Sequence, residues 1–244
     1  MSAPNNYEEF VSLLSGHQLV TKFAAIADLL PTQVTLGMRE VAYKRQRWRQ
    51  KDRERAEHYL ITHPIPVILG LESRHFILDR HHLTRALCDE GVVQVPISIV
   101  ANESSLPHDE FWAVLERYYW VHPFDDKGER VSYRNIPKSI SKLIDDPYRS
   151  LAGALKRAGG YTKDKSPFSE FRWADFLRSR IDSESIAGDF DGALHQAMHM
   201  AQSPEARELP GWLDKNESAL PGCFVFTANL AEPRARTFGR IQAS

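Results

Sequence analysis

Cysteine is scarce in this chain, where only Cys88 and Cys223 occur among 244 residues. Two thiols are too few for a disulfide framework or for a zinc site built mainly on thiolates. No apolar stretch approaches the roughly 18 residues that a membrane-spanning helix needs. We therefore expect no membrane partner, and the low cysteine content is typical of a reducing, cytoplasmic setting.

A charge excess of one sign is also missing, because 31 Lys and Arg residues face 32 Asp and Glu residues. A neutral chain has no long-range field that holds a polyanion, so contact with nucleic acid has to be local. The sequence contains neither a Walker A loop nor a G-x-G-x-x-G turn. These absences argue against P-loop and Rossmann nucleotide sites.

One local charge excess stands out in residues 44–55, KRQRWRQKDRER. This segment holds seven basic and two acidic residues, so it carries +5 while the rest of the chain carries −6. Helical spacing predicts two basic stripes with Trp48 between them: Arg45, Arg49 and Arg53, and Arg47, Lys51 and Arg55. The stripes favour either a surface that follows a nucleic-acid strand or an ordinary solvated helix face.

The first hundred residues predict a mixture of helices and strands. Residues 38–59 lack Gly and Pro and favour one or two helices. Two β-rich runs at 65–69 and 75–79 flank a five-residue loop and predict a hairpin. A helix over 82–90, stopped by Gly91, and a strand over 92–100 follow. Residues 7–14 read as a short helix, and 23–30 as a strand or a helical turn.

The rest of the chain is predominantly helical by the same criteria. We expect helices over 107–120, 137–144, 147–158, 167–181 and 189–202, separated by Pro and Gly. Asp146 and Pro147 form a helix-start signal, and the aromatic residues of this half read as core. The predicted class is α+β, with a mixed-sheet domain over 1–105 and a helical extension over 106–244 packed on it.

The segment FILDRHHLTRAL at 76–87 is the best candidate for a site, because a hydrophobic strand ends in charged groups where a helix begins. Free amides at a helix start attract anions, and helical spacing places Arg85 on the face of His81 and His82. These groups predict a phosphate site, with Asp79 holding a divalent cation or orienting a histidine. In the alternative, Asp79 caps the helix and the histidines are spectators.

Six segments stand out in order along the chain: LLPTQ at 29–33, HPIPVILG at 63–70, LDRHHLTRAL at 78–87, DDPYRSLAGALKRAGGY at 145–161, PFSEFRWADFLR at 167–178 and LPGW at 209–212. Together they resemble the ParB-like nuclease family. The resemblance implies the small α+β domain of the ParB/sulfiredoxin superfamily, which binds a nucleotide or phosphate group at its strand-to-helix motif. Residues 79–86 stand in the place of that motif, although no glycine occurs at 79–82.

The junction chemistry and the resemblance together predict a site. Its candidate catalytic residues are Asp79, His81, His82 and Glu40, and its candidate phosphate-binding residues are Arg80, Thr84, Arg85 and Lys44. Kinase-like relatives carry a carboxylate after the first strand, which makes Glu40 a candidate general base and Lys44 a partner for a terminal phosphate. Because Glu40 and Lys44 are four residues apart, a simple surface ion pair is the alternative.

Three functions follow from this resemblance. Cleavage of nucleic acid comes first, because the family label and the basic segment agree. Hydrolysis of, or phosphoryl transfer from, ATP or CTP is the second, with Mg²⁺ or Mn²⁺ as the expected divalent cation. The third is a non-catalytic, nucleotide-dependent DNA-binding module. The partner is a nucleic acid or a nucleotide in each case, and the sequence leaves the oligomeric state open.

Overall fold

The structure, a computed structural model, describes residues 22–214. Its main sheet has five strands in the order β1, β6, β4, β5, β2. The strands are β1 (Lys22–Ala25), β2 (Leu29–Leu30), β4 (Ile65–Leu69), β5 (His75–Ile77) and β6 (Gln94–Asn102). Neighbours β1 and β6, and β4 and β5, run antiparallel, whereas β4 and β6, and β2 and β5, run parallel. The sheet is therefore mixed, as predicted.

The predicted hairpin is confirmed, because β4 and β5 pair with Val67 opposite Ile77 and Leu69 opposite His75. Helix α3 (His81–Asp89) follows at once, and Gly91 ends it with a φ of 76°. Segment 23–30 turns out to hold both predicted forms, since a 3-10 turn over Ile26–Asp28 joins β1 to β2. The short helix predicted over 7–14 and the tail from 225 lie outside the described residues.

Both faces of the sheet are covered by helices. One face packs Ile65, Val67 and Ile77 against α3 and against α1 (Met38–Arg49) and α2 (Arg53–Thr62). Alternate residues of the strands, such as Ile68 and Phe76, point to the other face and pack against α4 (His108–Arg117). The side-chain alternation of a strand thus lets one sheet serve two cores.

The helical half contains α5 (Pro147–Arg157), α6 (Ser169–Arg178), α7 (Ser183–Gly188) and α8 (Phe190–Met200). The predicted start of α5 is confirmed, because the Asp146 carboxylate accepts hydrogen bonds from the Tyr148 and Arg149 amides at 2.9 and 3.4 Å. The helix predicted over 137–144 is wrong. Only a 3-10 turn forms there, since Ile144 and Asp145 make strand β7 beside β3 (Thr35–Leu36).

The two halves are joined by backbone contacts as well as by side chains. Strand β3 belongs to the first half and β7 to the second, and they form a parallel pair. Gly37 lies between α1 and α5, where an added Cβ would fall 2.6 Å from the Ser150 amide nitrogen. The composition boundary near residue 105 therefore lies within one packed body. In the part of the chain that the structure describes, no helix is both long and apolar enough to cross a membrane.

Candidate functional site

A cavity of about 510 Å³ opens at the N-terminus of α3, and we call it the α3 cavity. Helices α1, α5 and α6 contribute its other walls. Its cationic lining residues are Lys44, Arg80, Arg149, Lys156 and Lys163. Its acidic lining residues are Glu40, Asp79 and Glu170. The cavity thus collects more positive than negative charge in a chain that is neutral as a whole.

The first turn of α3 presents free amides to this cavity. Helix geometry leaves the N–H groups of His81, His82 and Leu83 without an acceptor inside the helix, and all three residues line the cavity. Arg80, directly before the helix, has a φ of 67°, the left-handed conformation that glycine favours. The backbone therefore adopts at Arg80 a conformation that usually requires glycine, although no glycine is present.

His81 and His82 both use the Nε2 atom as a hydrogen-bond acceptor. Nε2 of His81 accepts the Thr32 amide at 3.2 Å, and Nε2 of His82 accepts the Gly37 amide at 3.1 Å. Burial, and then the nearby charge of Arg149, lower the pKa of each histidine to about 3. Each ring is therefore neutral with its proton on Nδ1, which makes it a hydrogen-bond donor rather than a general acid or base.

This arrangement predicts that acid weakens the fold. Between about pH 6.5 and pH 3 the unfolded histidines bind protons that the folded ones refuse, so the free energy of unfolding falls as the pH falls. Each histidine contributes up to about 1.4 kcal/mol per pH unit. In His82→Gln the side-chain carbonyl accepts the Gly37 amide and cannot titrate. We therefore expect the free energy of unfolding, measured with urea, to fall less steeply between about pH 6.5 and pH 4 in this variant than in the native chain. Parallel pH curves for the variant and the native chain would contradict the neutral assignment.

Arg149 is the most unusual residue of the α3 cavity. Only 4% of it is exposed, yet its Nε and Nη1 atoms have no hydrogen-bond partner in the described part of the chain. The guanidinium carbon lies 3.4 Å from the ring centroid of Phe171, which is its cation–π contact. Burial lowers the pKa of Arg149, although nearby Glu170 and Asp146 oppose this shift. A buried cation with unused donors is costly, and an anionic ligand would satisfy it.

The acidic residues of the cavity are largely neutralised by cations. Glu40 pairs with Lys44 at 3.3 Å and also with Arg157, and Glu170 pairs with Lys156. Burial opposes the charged form of Glu170, but Lys156 and Arg149 outweigh it and hold its pKa at about 2. The Asp79 carboxylate forms no ion pair within the described residues and accepts the Arg80 amide at 2.6 Å. Asp79 is therefore the cavity carboxylate that remains available as a base.

Strained backbone is concentrated around the cavity. Five described residues other than glycine have a positive φ, and three of them, Arg80, Tyr119 and Phe168, line the α3 cavity. A left-handed conformation costs a bulky residue of order 1 kcal/mol, and such strain gathers at binding sites. The strain therefore supports a functional role for this cavity rather than a packing defect.

The structure brings together six of the residues predicted from the sequence and leaves two outside. The six that line the α3 cavity are Glu40, Lys44, Asp79, Arg80, His81 and His82. Thr84 is buried and donates its hydroxyl to the Arg80 carbonyl. Arg85 pairs with Asp89 at 2.9 Å and points its Nη1 to the Ile140 and Leu143 carbonyls. Neither residue lines the cavity, because these acceptors hold the Arg85 guanidinium elsewhere. The phosphate contacts of Thr84 and Arg85 stay predictions from the sequence.

Sequence reasoning assigned Arg149 and Glu170 no role in the site. Both lie in segments that carry the family resemblance, DDPYRS and PFSEF, but local signals there indicate only a helix cap and a hydrophobic ridge. The structure confirms the cap and also places Arg149 in the cavity, because α5 starts at its rim. The signal that could have indicated them is the presence of a charged residue in each of two segments that resemble the family.

The basic segment 44–55 does not form the two predicted stripes. Helix α1 ends at Arg49 and α2 begins at Arg53, where the Asp52 side chain caps it by accepting the Arg55 amide. Arg45 and Arg49 both bind Glu90 at the end of α3, at 2.6 and 2.7 Å. The break in the helix and these ion pairs remove the continuous basic face.

A cluster of metal-binding side chains is not formed in the part of the chain that the structure describes. Among residues 22–214, no cluster of three or more His, Cys, Asp or Glu side chains is placed to hold a metal ion. Asp79, the predicted metal ligand, stands alone with one oxygen on the Arg80 amide. The divalent cation and ATP or CTP stay predictions from the sequence.

The geometry defines an α+β protein with a cationic cavity at a strand-to-helix junction. Residues 23–179 match the model of the family described as "Putative ParB-like nuclease", and the chain belongs to this family. The crystal structure of protein Atu1540 from Agrobacterium tumefaciens is similar, with a TM-score of 0.73 and 48% identity over 79% of this chain and 97% of that chain. No curated protein matches the chain significantly. The family match includes Arg149 and Glu170 as well as the motif at α3.

Proposed function

We propose that this protein binds a phosphate ester in the α3 cavity and hydrolyses it as a nuclease. The observation that carries the proposal is Arg149, a buried cation that lines the cavity and whose Nε and Nη1 atoms have no hydrogen-bond partner among residues 22–214. Membership of the ParB-like nuclease family supports the reaction class. The phosphate is the expected ligand because a planar guanidinium and a helix start both bind its oxygens well.

The donors around the cavity suit a phosphoryl group on several sides. Arg149 offers its guanidinium, and the first amides of α3 offer N–H groups at the positive end of the helix dipole. His81 and His82 each retain an Nδ1–H, because Nε2 of each ring accepts a backbone amide. Lys163 adds a charge at the exposed side. Such donors stabilise the charge that builds on phosphorus oxygens during hydrolysis.

Hydrolysis also needs a base that activates water. Asp79 takes this role, because Glu40 and Glu170 are held in ion pairs and the Nε2 lone pair of each histidine already accepts a backbone amide. The water oxygen forms a bond to phosphorus and gives its proton to Asp79, while the bond from phosphorus to the leaving oxygen breaks. Solvent then protonates the leaving oxygen. The histidines bind and orient the phosphate in this scheme, in contrast to the catalytic proton transfer expected from the sequence.

A cleavage assay tests the proposal. The purified protein is incubated with supercoiled plasmid and with a single-stranded oligonucleotide, and separately with ATP and CTP, with and without Mg²⁺ or Mn²⁺. We expect cleaved DNA from the native protein. Asp79→Asn is expected to lower the cleavage rate by about 100-fold or more while leaving oligonucleotide affinity within about 3-fold, because it removes only the base.

Arg149→Met, prepared in parallel, is the control for contaminating nuclease. Equal cleavage by this variant and by the native protein would place the activity outside the α3 cavity. Phosphate released from ATP or CTP, with intact DNA, would replace the nuclease by a nucleotide hydrolase. Saturable nucleotide binding without any turnover would identify a binding module.

A further inference from the structure

A second cavity of about 580 Å³ adjoins the α3 cavity, and we call it the aromatic cavity. Four residues line both cavities: Tyr119, Pro167, Phe168 and Phe171. The two spaces therefore share one wall. Phe171 stands in that wall, since its ring lies 3.4 Å from the Arg149 guanidinium carbon and 3.6 Å from the centroid of the His122 ring.

Five aromatic rings form one group in the lining of this second cavity. The rings are Tyr119, His122, Phe124, Phe168 and Phe171, and none of the five residues is fully buried. His122 is at the centre, with ring centroids 4.6 Å from Phe124 and 4.9 Å from Phe168. Aromatic rings that stay accessible in one contiguous group indicate a binding surface, because a core would bury them.

The backbone is strained where it places two of these rings. Tyr119 has a φ of 58° and Phe168 a φ of 55°. Neither residue is of the type that adopts left-handed conformations readily, so the surrounding structure has to hold them there. Burial and the charges of Arg149 and Arg178 lower the pKa of His122 to about 2, so its ring is neutral and suited to stacking.

From this geometry we infer that the aromatic cavity receives the base of one unpaired nucleotide whose phosphate lies in the α3 cavity. The inference rests on the proposed phosphate site. A nucleotide carries a planar aromatic group and a phosphate on one short frame, as the two adjoining cavities require. Base stacking on aromatic side chains accepts every base, and a base paired within a duplex cannot enter such a space without leaving its stack. Both a free nucleotide and the single-stranded end of a nucleic acid present this combination of an unpaired base and a phosphate.

Isothermal titration calorimetry compares ligands that differ only in the base. Ribose 5-phosphate supplies sugar and phosphate alone, and the nucleoside 5′-monophosphates add the base. We expect the native protein to bind nucleotides about 10-fold more tightly than ribose 5-phosphate. Phe124→Leu removes a ring that lines only the aromatic cavity, and we expect it to abolish most of this difference while leaving ribose 5-phosphate affinity unchanged.

Phe190→Leu is the matched control, because Phe190 is also partly buried but lines neither cavity. Its nucleotide affinity is expected to equal that of the native protein. Equal affinity of the native protein for nucleotides and ribose 5-phosphate, combined with equal affinity for a single strand and its duplex, would overturn the base site and leave the phosphate site standing. Absence of binding by every phosphate ligand would overturn both.

A 5′-phosphorylated single-stranded oligonucleotide and its duplex form distinguish the sources of the base. If mononucleotides already show the full gain in affinity over ribose 5-phosphate, the ligand is a free nucleotide. If only the single strand binds more tightly than ribose 5-phosphate, the ligand is a strand end. Equal affinity for the single strand and the duplex, when mononucleotides also bind no more tightly than ribose 5-phosphate, would overturn the inference, because a paired base cannot stack in the cavity.

Discussion

Arg149→Met is expected to weaken phosphate binding by about 100-fold without destabilising the fold. Two charge-assisted hydrogen bonds of about 1.5 kcal/mol each account for the loss of affinity. The stability change has a separate cause, because Arg149 is buried and its Nε and Nη1 atoms have no hydrogen-bond partner among the described residues. Removing that charge offsets the lost contact with Phe171, so we expect the free energy of unfolding to stay unchanged or to rise by about 1 kcal/mol. Calorimetry with pyrophosphate and urea unfolding at neutral pH measure the two effects.

Arg85→Met is the matched control for this experiment. Arg85 is also largely buried, with 15% of its side chain exposed, but it is paired with Asp89 and two carbonyls. Its loss is expected to cost about 1–2 kcal/mol of stability and to leave pyrophosphate affinity unchanged. If Arg85→Met lost pyrophosphate affinity and Arg149→Met kept it, Arg85 would be the phosphate-binding arginine, as the sequence suggested, and the proposed role of Arg149 would be wrong.

Gly37→Ala is expected to destabilise the protein by about 3 kcal/mol and to disturb the phosphate site. A Cβ at this position would lie 2.6 Å from the Ser150 nitrogen and 2.8 Å from the Arg149 carbonyl carbon, which are backbone atoms that cannot rotate away. The Gly37 amide also donates to Nε2 of His82. Moving α1 from α5 therefore shifts His82 and Arg149 together. Urea unfolding gives the loss of stability, and pyrophosphate titration of the folded variant gives the expected loss of affinity of at least about 10-fold.

Gly188→Ala serves as the reference for the Gly37 experiment. Gly188 ends α7, and no atom lies within 4 Å of a Cβ added there. Alanine restricts the unfolded chain and favours the helix, so this variant is expected to be neutral or about 0.5–1 kcal/mol more stable. Similar stability of the two variants would mean that α1 and α5 do not meet as closely at Gly37 as the structure shows.

The parts of the fold that the sequence predicted correctly are those encoded by neighbouring residues. The hairpin follows from two alternating runs around a short loop, and α3 ends where Gly91 permits a positive φ. The start of α5 follows from Asp146 and Pro147, whose cap geometry is complete within four residues. Each of these signals acts over one turn or less, so long-range packing does not overrule it.

The errors arose where distant segments meet. Residues 144–145 form β7 because Thr35 and Leu36 offer a strand edge, a contact that spans more than a hundred positions. The two basic stripes assumed one continuous helix, whereas the cap at Asp52 gives the other predicted alternative, two helices. Helical spacing put Arg85 on the face of His81 and His82, but spacing does not determine the acceptors that surround a side chain.

The sequence by itself determined the α+β class, the strand-to-helix junction at residues 79–82 and the family to which the chain belongs. Local hydrogen bonding and side-chain periodicity suffice for these features. Only the tertiary structure decided that Arg149 rather than Arg85 faces the free end of α3, and that aromatic rings from residues 119–124 and 168–171 gather beside it. The physical reason is that a binding cavity is the space left between packed elements, and the position of that space depends on how α1, α3, α5 and α6 meet.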